Sequence, residues 1–260
     1  MGANITVGGL TFNPATSGNY TIAGSGSYTL ELTGSSVIAN ANATIAANTT
    51  FANGLNLTGG KQLTLSGTNT NATGTTVTAG TLVISQSGTT GVNYSAPLGT
   101  GDVTVDTGAV LALNSNNASG SLSNTITITG NVNNGFGVAA SNGALQFQGN
   151  NQTYTDNGNI VLATSSTTQT QIFNYGINTT VNFDGVISGT VGQLNLWGQS
   201  DSNTEVQAFN LNNQETYTGS TLIGAYAAGT AVTLNGGNNT LPTGGSLTLD
   251  SANWKSRQTS

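Results

Sequence analysis

Residues 63–84 read Leu63-Thr64-Leu65-Ser66-Gly67-Thr68-Asn69-Thr70-Asn71-Ala72-Thr73-Gly74-Thr75-Thr76-Val77-Thr78-Ala79-Gly80-Thr81-Leu82-Val83-Ile84. Apolar and hydroxyl side chains alternate over three to five residues, stop at a glycine or a polar cluster, and start again. A period of two is the mark of a strand with one buried and one wet face. The same bursts run through the chain, as in Ile5-Thr6-Val7, Leu55-Asn56-Leu57, Val103-Thr104-Val105, Ile126-Thr127-Ile128, Leu194-Asn195-Leu196 and Leu247-Thr248-Leu249. Turn clusters such as Gly8-Gly9, Thr58-Gly59-Gly60 and Gly236-Gly237-Asn238-Asn239 separate them. Pro14, Pro97 and Pro242 each lie beside a burst rather than inside one. No window carries the i, i+3, i+4, i+7 apolar spacing of an amphipathic helix.

Composition narrows the chemistry. The 260 residues include 3 Lys and Arg, 9 Asp and Glu, and neither His nor Cys, so 5% of side chains are charged where about 25% is usual. Three cations make no basic footprint for nucleic acid. Without His there is no imidazole base and no His-paired nucleophile. Without Cys there is no thiolate, disulfide or zinc-thiolate site. Carboxylates, hydroxyls and Lys61 are what remains for catalysis. Nothing approaches 18 consecutive apolar residues, so no helix spans a membrane. Residues 1–10 lack the basic and apolar regions of an export signal, so an exported chain of this kind is expected to be a piece of something longer.

Short strands at regular spacing suit a sandwich or a barrel, but three features favour a solenoid. The strands are too short and uniform for a sandwich of this length, charge is too low for an exposed antiparallel sheet, and the sequence repeats itself. The phrase at 63–84 returns in Phe209-Asn210-Leu211, Glu215-Thr216-Tyr217-Thr218-Gly219-Ser220-Thr221-Leu222-Ile223 and Ala228-Gly229-Thr230-Ala231-Val232-Thr233-Leu234. Pro97-Leu98-Gly99-Thr100-Gly101-Asp102-Val103-Thr104-Val105-Asp106 is answered by Leu241-Pro242-Thr243-Gly244-Gly245-Ser246-Leu247-Thr248-Leu249-Asp250. Blocks near 63–113 and 209–250 thus recur in one order, which points to duplication of a multi-coil unit. The expected fold is all-β, a single-stranded right-handed parallel β-helix over residues 1–254 with a polar tail at 255–260. At roughly 20–25 residues per coil it would have about 11–13 coils. Stacked coils place equivalent positions about 4.8 Å apart, where like charges repel, so the twelve charges are expected at turns, loops and the tail.

These phrases resemble the autotransporter-associated β-strand repeat of type V secreted proteins and of very long bacterial surface proteins. That repeat runs approximately L-x-L-x-G-x-N-T-Y-x-G-x-T-x-V-x-x-G-x-L, followed by a Leu-Gly-x-Gly segment. Residues 63–84 follow it with Asn71-Ala72 where Tyr is expected, and residues 209–234 keep Thr216-Tyr217-Thr218-Gly219 with extra residues before Ala228-Gly229. The resemblance implies a β-helix outside the cell and gives structural roles to Leu63, Leu65, Gly67, Gly74, Gly80, Gly99, Gly101, Tyr217, Gly219 and Gly229. It implies no ligand.

The leading functional expectation is a non-catalytic extracellular module of a bacterial cell surface: stalk, adhesin or fibre-forming segment. Its candidate partners are surface glycans and further copies of the chain, end to end or side by side. A carbohydrate-binding or carbohydrate-active β-helix is the alternative, and an ice-binding solenoid a further one. Asp102 and Asp106 share a strand face but stand roughly 13 Å apart, beyond the ~5–9.5 Å of glycosidase pairs, and read as turn carboxylates. No cofactor is called for. Asp201 and Glu205, flanking Ser202-Asn203-Thr204, are a candidate calcium pair, since calcium takes oxygen ligands including carboxylates. Trp197 and Tyr175 are candidate sugar platforms, Trp197 because it follows Leu196 outside the strict alternation. Thr-x-Thr pairs at Thr76-Val77-Thr78 and Thr125 to Thr129 are of the ice-binding kind but look scattered along the chain.

Overall fold

A computed structural model describes residues 2–250 except 15–17, 25, 88–90, 117–118, 131–142, 199–205, 226–230 and 237–239. Asp201, Glu205, Gly229, Trp254, Lys255 and Arg257 therefore lie outside the described residues. Within them are 27 strands and one four-residue helix, Ser95–Leu98. Every strand pair is parallel, for example Leu55–Thr58 with Thr75–Val77 and Thr81–Ser87 with Val110–Asn116. Parallel partners cannot be joined by a tight hairpin, so the chain leaves each strand, builds two others, and returns one step further along.

It does so in rotation over three ladders. The first holds Ile5–Val7, Thr29–Leu32, Asn48–Phe51 and Asn69–Asn71, then, as a separate run, the six strands from Val92–Asn93 to Ala231–Gly236. The second begins with Leu10–Phe12 and Ser36–Ala39 and reaches the start of Ile187–Gly198. The third runs from Tyr20–Ile22 through Gln62–Leu65, Gln169–Asn174 and the later part of Ile187–Gly198 to Leu247–Asp250. Strands Ile187–Gly198 and Thr218–Ala225 each turn the corner between the second and third ladders without a break. The arrangement is nearly closed, all-β, and consistent with a parallel β-helix or solenoid.

The third ladder holds ten strands among the described residues, short of the 11–13 turns expected. The reason is corner length. Equivalent residues are 20 apart at Thr50 and Thr70 but 28 apart at Asn182 and Asn210. Corners stretch without disturbing the pairing. Ala163 pairs Thr190 and Gln169 pairs Gln193, so one corner takes residues 164–168 in one turn and 191–192 in the next.

Period-two burial follows the alternation, and inward residues stack in columns. One column on the third ladder is Tyr20, Ala43, Leu63, Leu82, Leu111, Leu145, Ile172, Leu196, Ile223 and Leu249. Its interior members are buried, whereas Tyr20 is 39% and Leu249 72% exposed where the described ladder ends. Aromatic rings fill the middle of the rod: Phe147 meets Tyr154 and Phe183, and Phe183 stacks on Phe209 at 6.4 Å.

The two look-alike phrases occupy different ladders. Gln62–Leu65 belongs to the third ladder, Asn69–Asn71 to the first and Thr75–Val77 to the second. Their counterparts Phe209 to Leu211 lie on the first and Thr221 on the third. Val103–Val105 is on the second ladder and its counterpart Leu247–Asp250 on the third. The second block is therefore consistently one face ahead of the first.

Candidate functional site

The outer faces carry rung-to-rung polar bonds. On the first ladder Ser121, Thr155, Asn182, Asn210 and Asn235 are in register. Asn235 Nδ2 donates to Asn210 Oδ1 at 2.7 Å, Asn210 Nδ2 to Asn182 Oδ1 at 2.6 Å, and Asn182 Nδ2 to Thr155 Oγ1 at 3.5 Å. Nearer the start, Thr6 Oγ1 donates to Glu31 Oε2 at 3.1 Å, and Thr50 and Thr70 hydroxyls lie 3.3 Å apart. Asn151 and Asn178 stack at a corner with φ of 55° and 49°, the left-handed region that Asn tolerates. Asn178 Nδ2 donates to Asn151 Oδ1, and the Val206 N–H to Asn178 Oδ1.

The two Thr-x-Thr pairs that look scattered in sequence, Thr76/Thr78 and Thr127/Thr129, stand on either side of a turn that carries Thr104 and Asp106 in the same rows. Thr76, Thr104 and Thr127 form one outward row on the second ladder. The row passes into Val161 at one side and Asn56 at the other. In the neighbouring row Asp106 accepts from Thr129 at 3.4 Å and Thr78 donates to Asn56 at 2.9 Å. Asp102 is exposed, and its contribution to the ladder is a carbonyl that accepts the Thr75 N–H.

Trp197 is 5% exposed and sits with Phe173 and Leu222 in a small cluster apart from the main core, with half-buried Tyr175 against it. Phe173, Trp197 and Gly224 are in register, and the Trp197 ring fills the space where a Gly224 side chain would stand. The two candidate sugar platforms are thus neighbours, with Trp197 engaged by protein. At Gly67, Gly74 and Gly99 a Cβ would collide with the backbone of the preceding or following turn, and at Gly101 it would crowd Gly74 and Thr73. Gly80 (φ 78°) and Gly219 (φ 122°) are corner positions where the positive φ and the carbonyls of Lys61 and Val191 leave no place for a side chain. Leu63 and Leu65 are fully buried.

Two buried carboxyls were not foreseen from the sequence. Asp156 is 0% exposed and stands in the inward column Leu122, Asp156, Phe183, Leu211. Its Oδ1 accepts the Gly158 N–H at 3.0 Å, and Oδ2 has no partner in the protein. Burial pushes its pKa to about 8, with Asp184 adding repulsion and the Gly158 N–H opposing. Glu215 is 1% exposed. Its Oε2 accepts the Ile187 N–H and its Oε1 has no partner in the protein. Burial raises this carboxyl to about 7 against the favourable Ile187 bond. Tyr217, two residues on, is buried, bonded to the Thr221 hydroxyl and pushed up to about 12 by burial.

Glu215 and Tyr217 line a cleft of about 890 Å³ between residues 214–220 on one turn and 242–246 on the next. Gln214 Nε2 donates to the Leu241 carbonyl at 3.2 Å and the Glu215 N–H to the Thr240 carbonyl at 2.9 Å, tying the walls together. Searches against protein families, curated proteins and solved structures find no match to this chain. No group of three or more acids that could hold a metal occurs among the described residues, and no described helix is long and apolar enough to cross a membrane.

Both carboxyls had a signal in the alternation. Tyr154 faces inward, so Asp156 shares its parity. Glu215 falls where the first phrase has inward Asn69, so the replacement of an amide by an acid marks it.

Proposed function

We propose that the chain is a segment of a single-stranded right-handed β-helix of ten turns, acting as a non-catalytic stalk, adhesin or fibre-forming module of a larger bacterial surface protein of the autotransporter-repeat kind. Right-handedness is the rule for parallel strands joined by a crossover. The observation that carries this reading is the in-register polar row from Thr155 to Asn235, laid over parallel backbone ladders. Each turn is bonded to its neighbours by main chain and side chain alike, so a pull along the rod is shared by three ladders. A repeat rod also presents many equivalent weak contacts along its length, from which avidity arises.

Pulling the whole chain by its two ends tests the mechanical part. Rupture is expected in several steps, each releasing about one turn of 20 to 28 residues. Smooth extension without steps contradicts a stalk. Cells displaying the chain are expected to adhere to glycan-coated surfaces better than cells without it, and turnover of any polysaccharide by the purified chain would sink the non-catalytic reading.

A further inference from the structure

We propose that the cleft between residues 214–220 and 242–246 is a binding site for a neutral polyhydroxyl ligand, a stretch of uncharged oligosaccharide, with the Glu215 carboxyl as its deepest contact. This goes beyond a stalk or adhesin role and stands or falls apart from it.

Size and lining agree. A cleft of about 890 Å³ falls within the range of about 300–1,000 Å³ usual for ligand sites. Thr216, Thr218, Ser220, Thr243 and Ser246 bring hydroxyls, and Gly219, Gly244 and Gly245 expose peptide groups. Gly219 keeps one wall open, since a side chain there would run into the Val191 carbonyl. The wall-to-wall bonds of Gln214 and Glu215 form the cleft before any ligand arrives.

The second observation is the unpartnered oxygen. Glu215 lines the cleft while only 1% exposed, so its carboxyl lies at the bottom rather than the rim. One oxygen is used by the Ile187 N–H and the other by nothing in the protein. A buried acceptor left unpaired costs about 1–3 kcal/mol. This oxygen is covered in the free protein, so a ligand hydroxyl would supply the missing donor as the side chains over it part.

Charge selects among ligands. No Lys or Arg lines the cleft, so an acidic sugar would meet a carboxyl with no counter-ion. Glu215 is the single acid of the lining, whereas calcium takes six to eight oxygens and glycoside hydrolysis takes a pair of carboxyls. Binding without turnover is what one buried acid and a ring of hydroxyls can do.

The test titrates the isotope-labelled full chain with cellohexaose, maltohexaose and xylohexaose, with anionic polygalacturonate as contrast, following amide shifts by NMR. Saturable shifts at residues 214–220 and 243–246 with at least one neutral oligosaccharide are expected. Thr218→Trp, at an exposed wall position, should weaken binding at least tenfold while leaving the remaining spectrum intact, and Glu215→Gln should weaken it with the fold retained. Shifts elsewhere only, equal binding by Thr218→Trp, preference for polygalacturonate, or no shift with any of the four would overturn the proposal. None of these outcomes bears on the pulling steps.

Discussion

The phrases at 63–84 and 209–234 share a grammar and solve different problems. In the first, Asn71 Nδ2 is offered the Gly74 carbonyl, the Thr75 hydroxyl and the Leu98 carbonyl, all at 3.1–3.2 Å, and Thr75 Oγ1 also donates to Leu98. The helix Ser95–Leu98 packs over this point, and the groove beside it is about 470 Å³. In the second, Tyr217 replaces Asn71 and bonds the equivalent hydroxyl of Thr221, while Glu215 replaces Asn69, each of these two leaving one buried side-chain oxygen without a partner. The second cleft is nearly twice as large. A repeat phrase therefore fixes alternation and the inward hydroxyl partner, and the side chains at its two variable inward positions decide whether the buried unpaired oxygen belongs to an amide or a carboxyl, beside grooves of different size.

The contrast is sharpest in the cost of truncation. Tyr217→Ala should lower unfolding free energy by about 3–5 kcal/mol, the usual range for deleting a buried ring, against about 1–3 kcal/mol for Asn71→Ala, where bonded partners are left unpaired. Guanidinium unfolding followed by tryptophan fluorescence measures both, and equal losses would erase the distinction.

Titration separates the second phrase, which holds Glu215, from the first, and Asp156, outside both, adds a second signal. Asp156 and Glu215 have folded pKa values raised above those of the unfolded chain, to about 8 and about 7. The folded protein therefore holds protons that the unfolded chain releases. Stability should be full below about pH 4 and decline as pH rises, the Glu215 part ending near 7 and the Asp156 part near 8. Glu215→Gln should remove the first part and Asp156→Asn the second, each raising the melting temperature at pH 8. A flat wild-type profile between pH 4 and 9 would contradict buried carboxyls.

Asn210→Ala, which interrupts the outer row, should cost about 1 kcal/mol and lower the force of one or two steps in a pulling trace. Asp102→Asn should change stability by less than about 0.5 kcal/mol in the same denaturation assay, as fits an exposed residue whose ladder bond is made by its carbonyl.

The strands were legible because alternation is local: Leu63-Thr64-Leu65 or Ile126-Thr127-Ile128 declares its buried face within three residues. Which ladder a strand joins was not, because that depends on the summed lengths of every preceding corner. The number of strands per ladder depends on the same corner lengths, and Thr76, Thr104 and Thr127 look unrelated in sequence although they form one row. The cleft stayed hidden because its walls come from residues 214–220 and 242–246, adjacent only after a full turn. Among the described residues, Lys61, Asp102, Asp106 and Asp184 lie at turns and loops as expected, whereas Asp250 falls within a strand and Glu215 is buried, and two further acids depart from the pattern. Glu31 sits in mid-strand, bonded by Thr6, and Asp156 points inward.

The corner that takes residues 164–168 in one turn and 191–192 in the next separates length from architecture. Pairings on both sides are unchanged by the three-residue difference, and Ser165, Ser166 and Thr167 are exposed. Such a position is a natural docking point for grafted cargo: an epitope or a small domain spliced there leaves the stacked columns untouched, so the surface of the rod can diversify while its interior stays the same.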